Sequence, residues 1–158
     1  MKKPKIFFYK KIKDKRGYFS EIYLQKILKK TFVQDNLVFN KKKNTFRGLH
    51  YQQKPYEQGK LITVIRGSII DYICEVKKNI NQYILKKYQL TEYDNKCLWV
   101  PSNYAHGYLT CEDNTIVLYK VTKLYNPEYE KKINIFREEI HPPLNFKKKK
   151  IIISKKDS

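Results

Sequence analysis

The sequence predicts an all-β protein, a sandwich or jelly roll, on three observations. Apolar residues sustain no 3.6-residue period over long windows, short runs rich in β-branched and aromatic residues recur instead, and turn residues bound them. At 158 residues the chain has the usual size of one domain and can bury a sizeable core unaided. Residues 1–158 are therefore expected to form a single domain. Segments of this length and spacing fit a sandwich or jelly roll better than a βαβ fold.

The first strand is expected over 5–9, where Ile6, Phe7, Phe8 and Tyr9 follow one another. The one plausible early helix lies over 22–30, a short amphipathic segment. A strand over 31–39 follows, ending in Leu37, Val38 and Phe39, and another over 45–51 begins beyond the Lys and Asn residues of 41–44. The runs over 61–66 and 68–76 are almost continuously β-branched and flank Gly67. Further strands are expected over 84–90, over 96–100 before Pro101, over 104–111 and over 115–123. Residues 151–153, three isoleucines, are expected as a final strand docking on the body. The four lysines of 147–150 read as a solvated charge run, and 131–146 carries the weakest pattern of the chain.

A formal charge of +19 invites a polynucleotide-binding reading, because clustered cations release counterions from a phosphate backbone. The pattern argues against it. Only four of the 34 basic residues are Arg, and the lysines are dispersed among Ile, Asn and Tyr rather than gathered into a patch. Such a surface still steers small anions such as nucleoside diphosphates. No polynucleotide partner is expected. The three cysteines, Cys74, Cys97 and Cys111, form no CxxC pair and are odd in number, which fits buried thiols in a reduced, cytoplasmic protein. The N-terminal MKKPKIFFYKKIK has no sustained apolar core, and no apolar run approaches the roughly 20 residues that span a bilayer, so neither signal peptide nor membrane partner is expected.

The rare residues fall in clusters. All five glycines sit in compact groups, and three of the four arginines directly precede one, in Arg16-Gly17, Arg47-Gly48 and Arg66-Gly67. In a Lys-rich chain a retained Arg hints at a need for its planar fork, as in phosphate or carboxylate binding, although an ordinary salt bridge explains any one of them. Two of the three histidines, His50 and His106, lie in expected strands, and His141 lies beyond them. A strand His is either a hydrogen-bonded structural residue or a general acid or base. The pair could also be two ligands of a metal-binding cupin. Such sites usually add a third His and a carboxylate, as in an HxH pair with a following Glu; no HxH occurs here, and no metal is expected.

Seven motifs in order resemble the dTDP-4-dehydrorhamnose 3,5-epimerase family. They are Asp14 through Glu21 (D-x-R-G-x-F-x-E); Gln34-Asp35-Asn36; Phe46 through Gln52 (LRGLHYQ); Gln58-Gly59-Lys60-Leu61; Arg66-Gly67 with Asp71; Leu98 through Pro101 with Ala105 through Tyr108 (LWIPxxxAHGF); and Leu118-Tyr119-Lys120 with Tyr125-Asn126-Pro127 and Glu130 (LYKxTxxYxPxxE). The resemblance implies a cupin-like β jelly roll with a short N-terminal helix and an irregular C-terminal segment. It also implies a cofactor-independent isomerase acting on a dTDP-4-keto sugar.

Epimerisation beside a ketone needs a base, a stabiliser for the enolate and an acid on the opposite face. The resemblance gives these roles to His50, Lys60 and Tyr119, with Asp157 orienting His50 as a carboxylate does in a triad. It places His106 at the sugar, and Arg16, Glu21, Gln34, Asn36 and Arg47 at the nucleotide end. Phe19 is implied to stack on the thymine, and Tyr125 and Glu130 are matched as further substrate-binding positions. Part of the nucleotide pocket comes from a partner subunit in the family, which implies a homodimer. The chain departs from the pattern after Glu130: the family's W-N-D stands as Phe136-Arg137-Glu138 and its later W-P as Asn145-Phe146. Two alternatives stay open, an epimerase acting at C3 or C5 alone, and a silent sugar-nucleotide binder.

Overall fold

The computed structural model describes residues 2–77, 82–137, 139–142 and 151–157. The matches at Glu138, Asn145 and Phe146 and the lysine run of 147–150 lie outside the described residues.

The strands are β1 Lys5–Phe8, β2 Ile12–Asp14, β3 Gly17–Phe19, β4 Gln34–Asn40, β5 Thr45–Gln52, β6 Lys60–Arg66, β7 Ser68–Glu75, β8 Tyr83–Thr91, β9 Lys96–Val100, β10 Tyr104–Thr110, β11 Thr115–Val121, β12 Glu130–Lys132, β13 Ile140–His141 and β14 Ile152–Ile153. They form a five-stranded sheet, β1-β9-β6-β11-β4, and a larger sheet, β12-β5-β10-β7-β8-β13, with β14 added in parallel to β5. Sequence neighbours repeatedly fall in different sheets. The architecture is an all-β jelly roll, as the sequence predicts.

Strand alternation divides the apolar residues into three layers. Ile62 and Val64 of β6, Ile69 and Ile73 of β7, Tyr104 and Tyr108 of β10, and Val117 of β11 point between the sheets and form the central core. The residues between them on the same strands point outward, and each outer face is covered. Tyr72 and Cys74 of β7 and Phe46 and Leu49 of β5 lie under Ile133, Ile135 and Ile140. Leu61 of β6 and Trp99 of β9 lie under Ile22, Tyr23, Leu28 and Phe32. The weakly patterned stretches of the sequence are therefore the covers of the sandwich.

One expectation is corrected, and one element is unanticipated. The helix expected over 22–30 shrinks to α1, Gln25–Leu28, because Leu24 supplies no side-chain cap and Lys29 ends it in the left-handed region at φ 53°. Ile22 and Tyr23 pack on Trp99 instead of starting a turn. The segment 12–19 forms an exposed hairpin, β2 against β3, that belongs to neither main sheet.

Candidate active site

A cleft of about 440 Å³ opens at one end of the sandwich. Both sheets supply its walls. The larger sheet contributes Arg47 and His50 from β5, His106 and Tyr108 from β10 and Glu130 from β12; the smaller contributes Gln34, Asn36 and Val38 from β4, Lys60 from β6 and Tyr119 from β11. Ser154, Lys156 and Asp157 close one side.

Residues three apart on a regular strand face opposite ways, yet Arg47 and His50 both face the cleft. A bulge reconciles this: His106 pairs with His50 while Tyr108 pairs with Arg47, so two residues of β5, Gly48 and Leu49, are set against one of β10, Gly107. Glycine makes the crossing possible. Gly48 adopts φ +121°, and a Cβ built on it would lie 2.5 Å from the Gly107 Cα; a Cβ on Gly107 would lie 2.5 Å from the Arg47 carbonyl oxygen. The two backbones touch where any side chain would separate them.

His50 Nε2 lies 2.7 Å from Asp157 Oδ1, and Asp157 Oδ2 accepts from the Gly48 amide at 3.4 Å. An ionised carboxylate only accepts, so the ring proton of neutral His50 sits on Nε2 and the lone pair on Nδ1. That is the tautomer of a base. Glu130 Oε1 stands 3.7 Å from Nδ1, while Glu130 Oε2 receives Tyr125 Oη at 2.9 Å and pairs with Lys156. Burial lowers the His50 pKa below its usual 6.5 and Lys60 lowers it further, against the opposing pull of Asp157 and Glu130. Burial raises the Glu130 carboxyl, but hydrogen bonds from Lys156 and Tyr125 outweigh that and leave it below the ordinary range.

Asp157 reaches His50 by a short path. β14 adds to β5, pairing Ile153 with Phe46, and a turn from Ser154 to Asp157 brings the carboxylate back over the strand it has just joined.

Deeper in the cleft, His106 Nε2 lies 2.7 Å from Asp71 Oδ2, and Asp71 is fully buried. Its Oδ1 has no hydrogen-bond partner among the described residues. Burial raises the Asp71 pKa, with His106 and Lys60 opposing the shift. Lys60, 9% exposed, is pushed down to about 8 by burial, and the charges of Asp71 and Glu130 hold it from falling further. It remains an ammonium at neutral pH, poised over the cleft.

Tyr119, on β11 of the same sheet as Lys60, lies across the cleft from His50 and His106 of the larger sheet. Burial raises its pKa above 10, Arg47 pulls the other way, and Glu130 adds to the rise. It is a phenol at any physiological pH. At the rim, Gln34 Nε2 donates to Asn36 Oδ1 at 2.7 Å, and Arg47 Nε donates to Asn40 Oδ1 at 2.8 Å, which leaves the terminal guanidinium nitrogens of Arg47 for a ligand. Among the described residues no three His, Cys, Asp or Glu side chains gather as a metal-holding group.

The family model described as dTDP-4-dehydrorhamnose 3,5-epimerase matches residues 2–158. The chain belongs to this family. A dTDP-4-dehydrorhamnose 3,5-epimerase of Sinorhizobium fredii is 36% identical over 128 residues, covering 77% of this chain and 66% of that relative. One from Methanothermobacter thermautotrophicus is 40% identical over 124 residues, covering 74% of this chain and 65% of the relative. The matched stretch thus spans just under two thirds of the length of these two relatives. The crystal structure of the Bacillus anthracis dTDP-4-dehydrorhamnose 3,5-epimerase with TDP and PPi bound superposes with a TM-score of 0.88 at 33% identity, covering 98% of this chain and 90% of that one.

Of the residues matched to the epimerase family, His50, Lys60, Tyr119, Asp157, Gln34, Asn36, Arg47, His106, Tyr125 and Glu130 all line the one cleft. Arg16, Phe19 and Glu21 do not. Arg16 is paired with Asp14 in the β2–β3 turn, Phe19 is 63% exposed on β3, and Glu21 borders a small apolar hollow beside Ile22 and Tyr23. Gln58, Tyr108, Ser154 and Lys156 also line the cleft, and motif matching assigns them nothing. Alternation would have found Tyr108, two residues beyond His106 on the same face.

Proposed function

We propose that residues 1–158 act as a single-domain, cofactor-independent epimerase that inverts C3 and C5 of dTDP-4-dehydro-6-deoxy-D-glucose to give dTDP-4-dehydro-L-rhamnose. One observation carries the reading: the base, the cation and the phenol needed for inversion beside a ketone converge on one cleft, with His50 on one sheet and Tyr119 on the other. A sugar ring lying between the sheets meets a base on one face and an acid on the other. His50 removes the proton next to the C4 ketone, the Lys60 ammonium stabilises the enolate oxygen, and Tyr119 delivers a proton from the far side. Asp157 fixes the His50 tautomer and stabilises the imidazolium that forms. His106, held by Asp71, hydrogen-bonds the sugar. Arg47, with Gln34 and Asn36, holds the diphosphate end, in keeping with the TDP bound to the Bacillus anthracis relative.

The partners follow from the same reading. The substrate is a dTDP-sugar. The β2–β3 hairpin, with Arg16 and Phe19 turned away from their own cleft, completes the nucleotide pocket of a second copy in a homodimer. Among the described residues no helix is long and apolar enough to cross a membrane.

The test is proton NMR of dTDP-4-dehydro-6-deoxy-D-glucose incubated with the protein in deuterated buffer. Deuterium entering C3 and C5 with formation of the inverted product is expected. Exchange at one carbon only would make the protein a single-site epimerase, and binding without exchange would remove the catalytic reading.

A further inference from the structure

Arg47 is one of the cations that line the cleft, and the structure shows how it is held. Its Nε donates to Asn40 Oδ1 at 2.8 Å. Asn40 is 2% exposed, and its Nδ2 donates to the Thr115 carbonyl at 3.2 Å. A carbonyl can only accept, so the amide of Asn40 must present its nitrogen to Thr115, which turns its oxygen toward Arg47. Tyr108 Oη lies 3.4 Å from both Asn40 Nδ2 and Oδ1 and occupies the remaining side of the amide. Burial pushes the Tyr108 phenol up to about 12, with Asn40 and Arg47 opposing, so it stays a neutral donor.

The arrangement joins the two sheets. Asn40 ends β4 and pairs with Thr115 in the smaller sheet, while Arg47 and Tyr108 are cross-strand partners in the larger one. With Nε engaged by Asn40, the guanidinium is restrained at the cleft wall, and its two terminal nitrogens carry no hydrogen bond among the described residues.

We propose that Asn40 and Tyr108 are positioning residues that hold the Arg47 guanidinium for a bidentate grip on the diphosphate of the bound nucleotide. The proposal rests on the nucleotide-sugar reading above and adds to it two residues that act through Arg47, Asn40 directly and Tyr108 by way of Asn40. Fixing a long side chain before binding spares the entropy of ordering it at the moment of binding, so the gain appears in affinity for phosphate and not in the proton-transfer steps.

Calorimetric titration with TDP, inorganic pyrophosphate and thymidine tests it, together with KM and kcat for the sugar nucleotide. Asn40→Leu is expected to weaken TDP and pyrophosphate about tenfold, the scale of a hydrogen bond to a charged group, and to leave thymidine unchanged. Tyr108→Phe, which keeps the ring and the core volume, is expected to raise KM by about two- to threefold with kcat unchanged. In an Arg47→Met background neither change should weaken binding further, because a residue acting through Arg47 has nothing left to act on. Unchanged affinity for TDP and pyrophosphate in Asn40→Leu, equal weakening of thymidine, or full additivity with Arg47→Met would overturn the proposal. Should Asn40→Leu not fold, an unaltered KM in Tyr108→Phe does the same. If the unmodified protein binds neither TDP nor pyrophosphate, the nucleotide reading itself falls.

Discussion

Removing a proton from one face of a carbon and returning it to the same face regenerates the starting sugar, so inversion depends on a donor opposite His50. In the proposed mechanism Tyr119 is that donor, and burial raises its pKa further above neutrality. Tyr119→Phe is expected to keep exchanging solvent deuterium into at least one carbon while forming inverted product much more slowly; product formation at the unmodified rate would remove Tyr119 from the mechanism. The pH profile of kcat/KM separates the other two groups. His50 acts as a base only when neutral, and its pKa is depressed, so activity should fall on the acid side below the ordinary 6.5. Lys60 acts only as an ammonium and titrates at about 8, so an alkaline limb should centre there, well below the phenol of Tyr119. Stability runs the other way. Between pH 8 and 10.5 the unfolded chain keeps a proton on Lys60 that the folded chain has lost, so across that window the protein should gain stability with rising pH relative to a Lys60→Met variant, read as the difference between their denaturation midpoints.

At the scale of elements, the crossing of β5 and β10 sets the geometry of the whole site. Gly48→Ala places a methyl against the Gly107 backbone at a φ of +121°, which combines steric overlap with an unfavourable conformation. A loss of about 2–4 kcal/mol is expected in chemical denaturation, with a fall in activity larger than the fraction unfolded explains, because the bulge also aims His50. The strands from β4 to β11 are legible in the sequence because alternation and bounding turns repeat there; β4, for example, turns Gln34, Asn36 and Val38 inward and Leu37 and Phe39 outward. The β2–β3 hairpin is not legible. Its strands are three residues long and exposed throughout, so no burial pattern marks them. Nor are the covers: Ile133, Ile135 and Ile140 are placed by the sheet face they shield and have no period of their own. The site divides in the same way. Motifs in the family's order point to His50, Lys60 and Tyr119, and the resemblance adds Asp157, whereas Asn40 and Tyr108 become meaningful only when the two sheets bring their strands together.

At the scale of the molecule, exposed apolar side chains cluster on the hairpin and on edge strand β4, among other exposed positions of the described residues. Ile12, Tyr18 and Phe19 on the hairpin and Leu37 and Phe39 on edge strand β4 are all more than half exposed. The homodimer proposed above would cover these side chains. If the hairpin serves the neighbouring cleft, a His50→Ala variant and an Arg16→Ala variant, each of low activity alone, should regain activity when mixed and allowed to exchange subunits. No recovery would keep each site within one chain. His50 and Asp157 meet although 107 positions separate them, and they meet only after β14 has added to β5. Trp99 packs instead in an apolar cluster whose members, among them Leu28, Phe32, Leu61 and Cys97, all precede position 101. During refolding from denaturant, tryptophan fluorescence should therefore recover first and turnover should return with a lag, since the burial of the indole and the completion of the proton-transfer pair belong to different stages of assembly.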